Sequence, residues 1–180
     1  VMDHHFRTGA LGIVEGYGDK YEYGRRPSGT YMPRFRNVYE DKRNYVRGFG
    51  YQGGADRGRG AKVAEFTIGA DLKEALSIPE ENWGINLLGF GEMLPYHENK
   101  ITLNKDVKDK WGLPVLNMDV EIKENEMKMR EDMRNDAKEM LEAAGVKNVT
   151  TYDWGYEVGM GIHEMGTARM GRDPKTSVLN

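Results

Sequence analysis

Residues 124–144 read ENEMKMREDMRNDAKEMLEAA, and most of the predicted architecture depends on this segment. Charged side chains fill one side of it, and Gly145 follows as a natural C-terminal cap. Apolar side chains recur on the other side at i, i+4, i+7, i+8 and i+11, as Met133, Ala137, Met140, Leu141 and Ala144. The spacing therefore predicts an amphipathic packing helix from about Glu124 to Ala144.

Short segments that alternate apolar and polar residues precede this helix, a pattern typical of strands. Trp111–Pro114 supplies a turn among them, and a capping box at Asp71 and Glu74 predicts a short helix before Pro79. The alternating segments are Ile85–Phe90, the pair Ile101 and Leu103, and the set Met118, Val120 and Ile122. Strands followed by one long amphipathic helix predict an α+β fold, an antiparallel sheet with helices on one side.

Residues 1–60 are rich in tyrosine, arginine and glycine and poor in aliphatic residues, so we expect them to lie against other protein. Within them, Tyr45–Gln52 alternates large and small residues, which predicts a strand. Gly48–Gly53 also satisfies G-x-G-x-x-G, but a dinucleotide site needs a helix to begin at the last glycine. Because the glycine-rich residues 54–60 follow instead, a strand and turn is the favoured interpretation.

Composition narrows the classes of function. The net charge of the 180 residues is −3 with both signs interspersed, which argues against nucleic acid as a partner. No apolar run approaches the ~20 residues that cross a bilayer, and the absence of cysteine excludes disulfides and thiolate metal sites. Arginines could meet an anionic substrate, although a solvated or interface face is favoured. They are Arg25, Arg26, Arg34, Arg36, Arg43 and Arg47.

A glycine-rich segment near the C-terminus, residues 159–174, carries the strongest chemical signal. Its glycines let the backbone approach a ligand closely, and His163 at its centre is the candidate working imidazole. His163-Glu164 also opens the zinc pattern H-E-x-x-H, but Thr167 occupies the place of the second histidine. No metal site is therefore predicted.

The whole string His163-Glu164-Met165-Gly166-Thr167-Ala168-Arg169-Met170-Gly171, with Asp173-Pro174 and Ser177–Asn180 after it, resembles the C-terminal signature of the glucose-methanol-choline (GMC) oxidoreductases. It is most similar to the branch of gluconate dehydrogenase-type sugar and polyol dehydrogenases. The segments 89–95, 99–103 and 111–114 resemble the family's substrate-binding sheet. The opening Val1–His5 looks like the Asp-His segment that leaves the flavin domain.

The resemblance implies an FAD-dependent enzyme that oxidises an alcohol group of a sugar or polyol. His163 would take the hydroxyl proton while flavin accepts the hydride, and the cofactor would lie near Gly166, Thr167, Asp3 and His4. The family's second catalytic His or Asn would lie beyond Asn180.

The same resemblance implies that the chain is an internal fragment, inactive without a missing FAD-binding domain. It divides the chain into a flavin-domain exit segment with substrate or interface loops (1–60), a substrate-binding sheet with helices (61–155), and a return into the flavin domain that carries the histidine motif (156–180).

A non-enzymatic alternative stays open at this point. The tyrosines and arginines of residues 17–59 would also suit a carbohydrate-binding or subunit-interface module. An oligomer is compatible with either interpretation, and so are a cytoplasmic and a periplasmic location.

Overall fold

The computed structural model describes residues 1–20, 29–57, 68–78, 80–155 and 157–179. In these ranges the chain forms seven strands and two helices. The strands are β1 (His4–Val14), β2 (Thr30–Met32), β3 (Phe49–Asp56), β4 (Trp83–Glu92), β5 (Lys100–Lys108), β6 (Pro114–Asp119) and β7 (Lys147–Asp153). The helices are α1 (Gly69–Ser77) and α2 (Glu124–Ala143).

Five strands form the main sheet in the order β2-β3-β4-β1-β7, and every neighbouring pair is antiparallel. β5 and β6 form a separate antiparallel hairpin. The predicted antiparallel sheet is therefore confirmed. The part of the chain expected to lie against other protein supplies β1, β2 and β3, which pair with β4 and β7 of the same chain.

α2 packs across β1, β4 and β7 with the face that the sequence predicted. Met129, Met133, Ala137 and Leu141 are buried there, whereas Ala144 lies exposed just after the helix. The rest of the core comes mainly from the strands and the loop before β3, as Ala10, Tyr45, Phe49, Tyr51, Leu87 and Val146. Since truncating a buried methionine or leucine costs about 2–5 kcal/mol, this face is the main anchor of the helix.

Buried ionic contacts complete the attachment of α2. Arg130 is 3% exposed, donates to the Phe6 carbonyl oxygen at 2.9 Å and pairs with the carboxylate of Asp153. Burial opposes ionisation of Asp153, but the hydrogen bond and the charge of Arg130, with smaller contributions from the Gly155 amide and Arg134, together hold the pKa of that carboxyl below its usual value. The pair joins α2 to the ends of β1 and β7.

Several predicted boundaries are wrong. Strand β3 begins at Phe49 rather than Tyr45, because the backbone bends at Arg47, whose φ is 74°. α1 begins after Ile68 without a side-chain cap, so Asp71 lies in its first turn and is not a capping residue. β6 ends at Asp119, before Val120 and Ile122.

The prediction of helices on one side of the sheet is confirmed for α2, which buries one face against the sheet. It is not confirmed for α1, which has no buried residue. The predicted boundary between residues 60 and 61 falls within 58–67, outside the described residues. In the part of the chain that the structure describes, no helix is both long and apolar enough to cross a membrane.

Candidate functional site

Two histidines that are 159 residues apart in the sequence meet at one end of the main sheet. His4 Nε2 lies 2.9 Å from His163 Nδ1. Their rings meet edge to face, with centroids 4.9 Å apart and planes inclined by 78°. His163 is exposed and His4 is half-buried. The predicted working imidazole is therefore reachable from solvent and has a hydrogen-bonding partner behind it.

Residues 2–4 each contact the glycine-rich segment and hold it in place. The backbones of Met2 and Met165 exchange two hydrogen bonds, of 2.8 and 2.9 Å. Asp3, only 4% exposed, accepts hydrogen bonds at Oδ2 from the amides of Gly159 and Gly161, both at 2.9 Å. Met2 and Asp3, which immediately precede β1, thus fix the backbone on both sides of His163.

The backbone around His163 is unusual. Ile162, immediately before it, has a φ of 62°, which non-glycine residues seldom adopt. Gly166 has a φ of 144°, and a Cβ there would lie 3.3 Å from the Val1 Cα. Thr167 follows at the surface. The structure thus brings His163, His4 and Asp3 together, whereas Gly166 lies against Val1 and Thr167 is exposed.

Two cavities adjoin the histidine pair. One, of about 360 Å³, has largely apolar walls, and its lining comprises Met2, Asp3, His4, Arg47, Glu92, Met93, Pro95, His163 and Met165. The other, of about 350 Å³, lies against the sheet. Its lining comprises His4, Tyr31, Arg34, Gly48, Phe49, Gly50, Gln52, Phe90, Gly91, Glu92, Ile162 and His163. Both volumes fall in the range of small-molecule sites.

The charges at the sheet-side cavity are balanced within the chain. Arg34 Nη1 lies 3.7 Å from Glu92 Oε2, which also accepts a hydrogen bond from the Gly48 amide at 3.2 Å. Of the other arginines considered for an anionic substrate, Arg36 and Arg43 pair with carboxylates of this chain. Arg47 lines the first cavity, and Arg25 and Arg26 lie outside the described residues.

Some residues of these cavities carried no predicted role. The sequence places Glu92 in a segment resembling the family's sheet, and its charge in an otherwise uncharged strand was the available signal. Tyr31 was considered only among the tyrosines of residues 17–59 that would suit a carbohydrate-binding module, and Gln52 gave no signal. The pairing of β2 with β3 brings both to the cavity.

A third histidine lies behind the site. His5 is fully buried, and burial lowers its pKa to about 4, with the nearby Arg130 charge acting in the same direction. His5 is therefore neutral at physiological pH and packs inside the sheet. Among the described residues, no group of three or more His, Asp or Glu side chains could hold a metal ion.

Comparisons with known proteins bear on the same region. The sequence profile of a family described as GMC oxidoreductase matches residues 95–180, which include His163, Gly166 and Thr167. A 2-methyl-1,2-propanediol dehydrogenase from Mycolicibacterium austroafricanum is 33% identical over 149 residues. The alignment covers 78% of this chain and 26% of that protein, so the chain spans about a quarter of the relative's length.

Proposed function

Because this chain belongs, through residues 95–180, to the GMC oxidoreductase family, we propose that it is part of an FAD-dependent enzyme that oxidises an alcohol group of a sugar or polyol. The observation that carries the proposal is the position of His163. Its exposed imidazole borders both cavities and has His4 at its Nδ1 atom. The similar protein is named as a diol dehydrogenase, and this name supports an alcohol as the substrate.

In this proposal His163 is the general base. Removing hydride from a carbinol carbon leaves a protonated carbonyl unless a base takes the hydroxyl proton, and imidazole titrates near the pH at which enzymes work. With Nδ1 engaged by His4, Nε2 is the nitrogen left for the substrate hydroxyl. The hydrogen bonds that Met165 makes to the Met2 backbone, and that Gly159 and Gly161 make to the Asp3 carboxylate, hold the backbone that carries the ring.

FAD, when bound, supplies the hydride acceptor that the protein's own side chains lack. The cavity with methionine and proline walls suits an apolar ring system beside His163. His4, Gly166 and Thr167 would border the cofactor, and Asp3 would act through the segment that it holds.

The pyrophosphate of FAD needs a different place. α1 carries Asp71 in its first turn, and α2 carries Glu124 and Glu126. Because anions are stabilised at helix N-termini and carboxylates there repel them, neither described helix suits a phosphate group. A separate FAD-binding domain would hold that part of the cofactor.

Replacing His163 by alanine in the flavin-loaded full-length enzyme tests the proposal. Flavin reduction by the alcohol substrate, followed by rapid-mixing absorbance, should slow by roughly two to four powers of ten, while bound FAD is retained. His97→Ala is the matched control, because His97 is exposed and borders neither cavity. A normal reduction rate in His163→Ala would show that this histidine is structural.

Calorimetric titration of the 180-residue chain separates the proposal from the non-enzymatic alternative. The chain alone should not bind FAD tightly and should show no saturable sugar binding. Saturable binding of a sugar without flavin would favour a carbohydrate-binding module.

A further inference from the structure

The contact between His4 and His163 restricts where their protons can be. At a nitrogen–nitrogen distance of 2.9 Å, one ring must donate and the other accept. Two imidazolium ions would both present hydrogens to each other and repel, so this contact is compatible with at most one positive charge on the pair.

The proton arrangement follows if His163 is the base, a premise that rests on the proposed function. Its Nε2 must be free to accept, so Nδ1 carries the ring proton and donates to His4 Nε2. His4 must then carry its own proton on Nδ1. When His163 takes up the substrate proton, the existing hydrogen bond becomes charge-assisted and therefore stronger.

We propose that His4 is the positioning residue of His163, which fixes the reactive tautomer of that imidazole and stabilises its protonated form. This role differs from contact with the cofactor, because it acts through the base.

The surroundings of His4 suit such a role. It opens β1, pairs with Glu92 of β4, and its ring meets the edge of Phe90 at a centroid distance of 6.1 Å. Its backbone amide donates to Asp3 Oδ1 at 2.6 Å. A half-buried ring held by two strands can keep a fixed orientation that a side chain on an exposed loop could not.

The charged groups around the pair are few. The two cavities bring Asp3, Arg34, Arg47 and Glu92 to it, and Glu164 follows His163 in the chain. Glu92 faces Arg34, Asp3 is engaged by backbone amides, and Glu164 Oε1 accepts from the Ile162 amide. In contrast, His4 is the group hydrogen-bonded to the His163 ring itself.

His4→Ala and His4→Gln in the flavin-loaded full-length enzyme test the inference. His4→Ala should lower kcat, measured per bound FAD, about 10- to 100-fold, as loss of an orienting partner commonly does, with KM little changed. His4→Gln should recover part of the rate, because its amide oxygen can accept from His163 Nδ1. The acid limb of the pH profile should move to lower pH in His4→Ala, since the protonated base has lost its acceptor.

A direct readout comes from the enzyme labelled with ¹⁵N-histidine. Long-range ¹H–¹⁵N spectra of the wild type should show His163 protonated at Nδ1, and His4→Ala should shift it towards the Nε2 tautomer. A wild-type His163 protonated at Nε2, or a His4→Ala enzyme with normal kcat and pH profile, would overturn the inference. If His4→Ala fails to fold, the wild-type spectrum and His4→Gln still decide it.

The outcomes also separate this inference from the proposed function. A harmless His163→Ala would remove the proposed function and the inference with it. A damaging His163→Ala together with a harmless His4→Ala would remove the inference alone.

Discussion

The guanidinium of Arg36 donates two hydrogen bonds to the carboxylate of Asp136, of 2.7 and 2.6 Å. The hydrogen bonds from this side chain to Asp136 raise the pKa of Arg36 above its ordinary value, although burial opposes the rise. Asp136 lies on α2 and is 6% exposed. The pair therefore fastens the segment before β3 to the helix, and Arg36 is occupied within the fold rather than free to bind an anionic substrate.

Asp136→Ala should lower the free energy of unfolding by about 2–4 kcal/mol, because a partly buried guanidinium loses both hydrogen bonds to its carboxylate and keeps only Asp41, 3.9 Å away. Urea unfolding followed by circular dichroism measures the change. Glu139→Ala, on the exposed side of the same helix, is the control and should change stability by less than about 0.5 kcal/mol. Equal effects of the two substitutions would mean that the bidentate pair contributes little.

The sequence predicts α2 and β4 well because their apolar residues recur with the period of the element that they form. It does not predict β7, whose residues Lys147–Asp153 are mostly polar, because this edge strand exposes most of its side chains. β1 was missed because Arg7, with a φ of 61°, and two glycines interrupt the alternation. Whether a strand lies at the edge of a sheet, and where it bulges, depends on tertiary structure, which a period-two sequence pattern does not encode.

The candidate site, like the fold, could be predicted only in part from the sequence. The motif around His163 identifies the imidazole, and the opening Asp3-His4 resembles a known segment, so both halves of the pair were named from sequence. Their contact was not predicted, because it depends on backbone pairing between Met2 and Met165. The cavity residue Tyr31 depends likewise on strand pairing.

Gly91→Ala should destabilise the protein by about 1–3 kcal/mol, the usual cost of inserting an atom into a packed interior. A Cβ at Gly91 would lie 2.2 Å from Nε2 of His5, which is fully buried and cannot move aside freely. Gly54→Ala in β3 is the matched control, since a Cβ there meets nothing within 4 Å. Thermal unfolding of both variants checks the prediction, and a Gly91→Ala protein as stable as Gly54→Ala would contradict it.

His5 should make the folded state sensitive to acid. The unfolded chain binds a proton at this ring near pH 6.5, whereas burial lowers the pKa of His5 in the folded state to about 4. Between these values the unfolded state binds more protons, so stability falls as the pH falls, by at most about 3 kcal/mol.

His5→Gln should remove this contribution, so its unfolding free energy should decline less between pH 6.5 and 4 than that of the wild type. Urea titrations at several pH values measure the slopes. His97→Gln, at an exposed histidine, should keep the wild-type slope. Parallel slopes in all three proteins would show that His5 titrates normally in the folded state.

Asp3→Ala should loosen the segment that carries His163. The Asp3 carboxylate accepts hydrogen bonds from the amides of Gly159 and Gly161 in a nearly inaccessible position, and hydrogen bonds to a charged group contribute about 1.5–3 kcal/mol each. Their loss should speed hydrogen exchange in peptides covering 157–165 by about tenfold or more, because 1.4 kcal/mol corresponds to a factor of ten. Exchange in α2 should not change.

Asp173→Ala is the control. Asp173 Oδ1 also accepts a hydrogen bond from a backbone amide, that of Lys175, but it does so in an exposed turn nearer the C-terminus. Unchanged exchange at Gly159 and Gly161 in Asp3→Ala would mean that the Met2–Met165 backbone pair alone holds His163 in position.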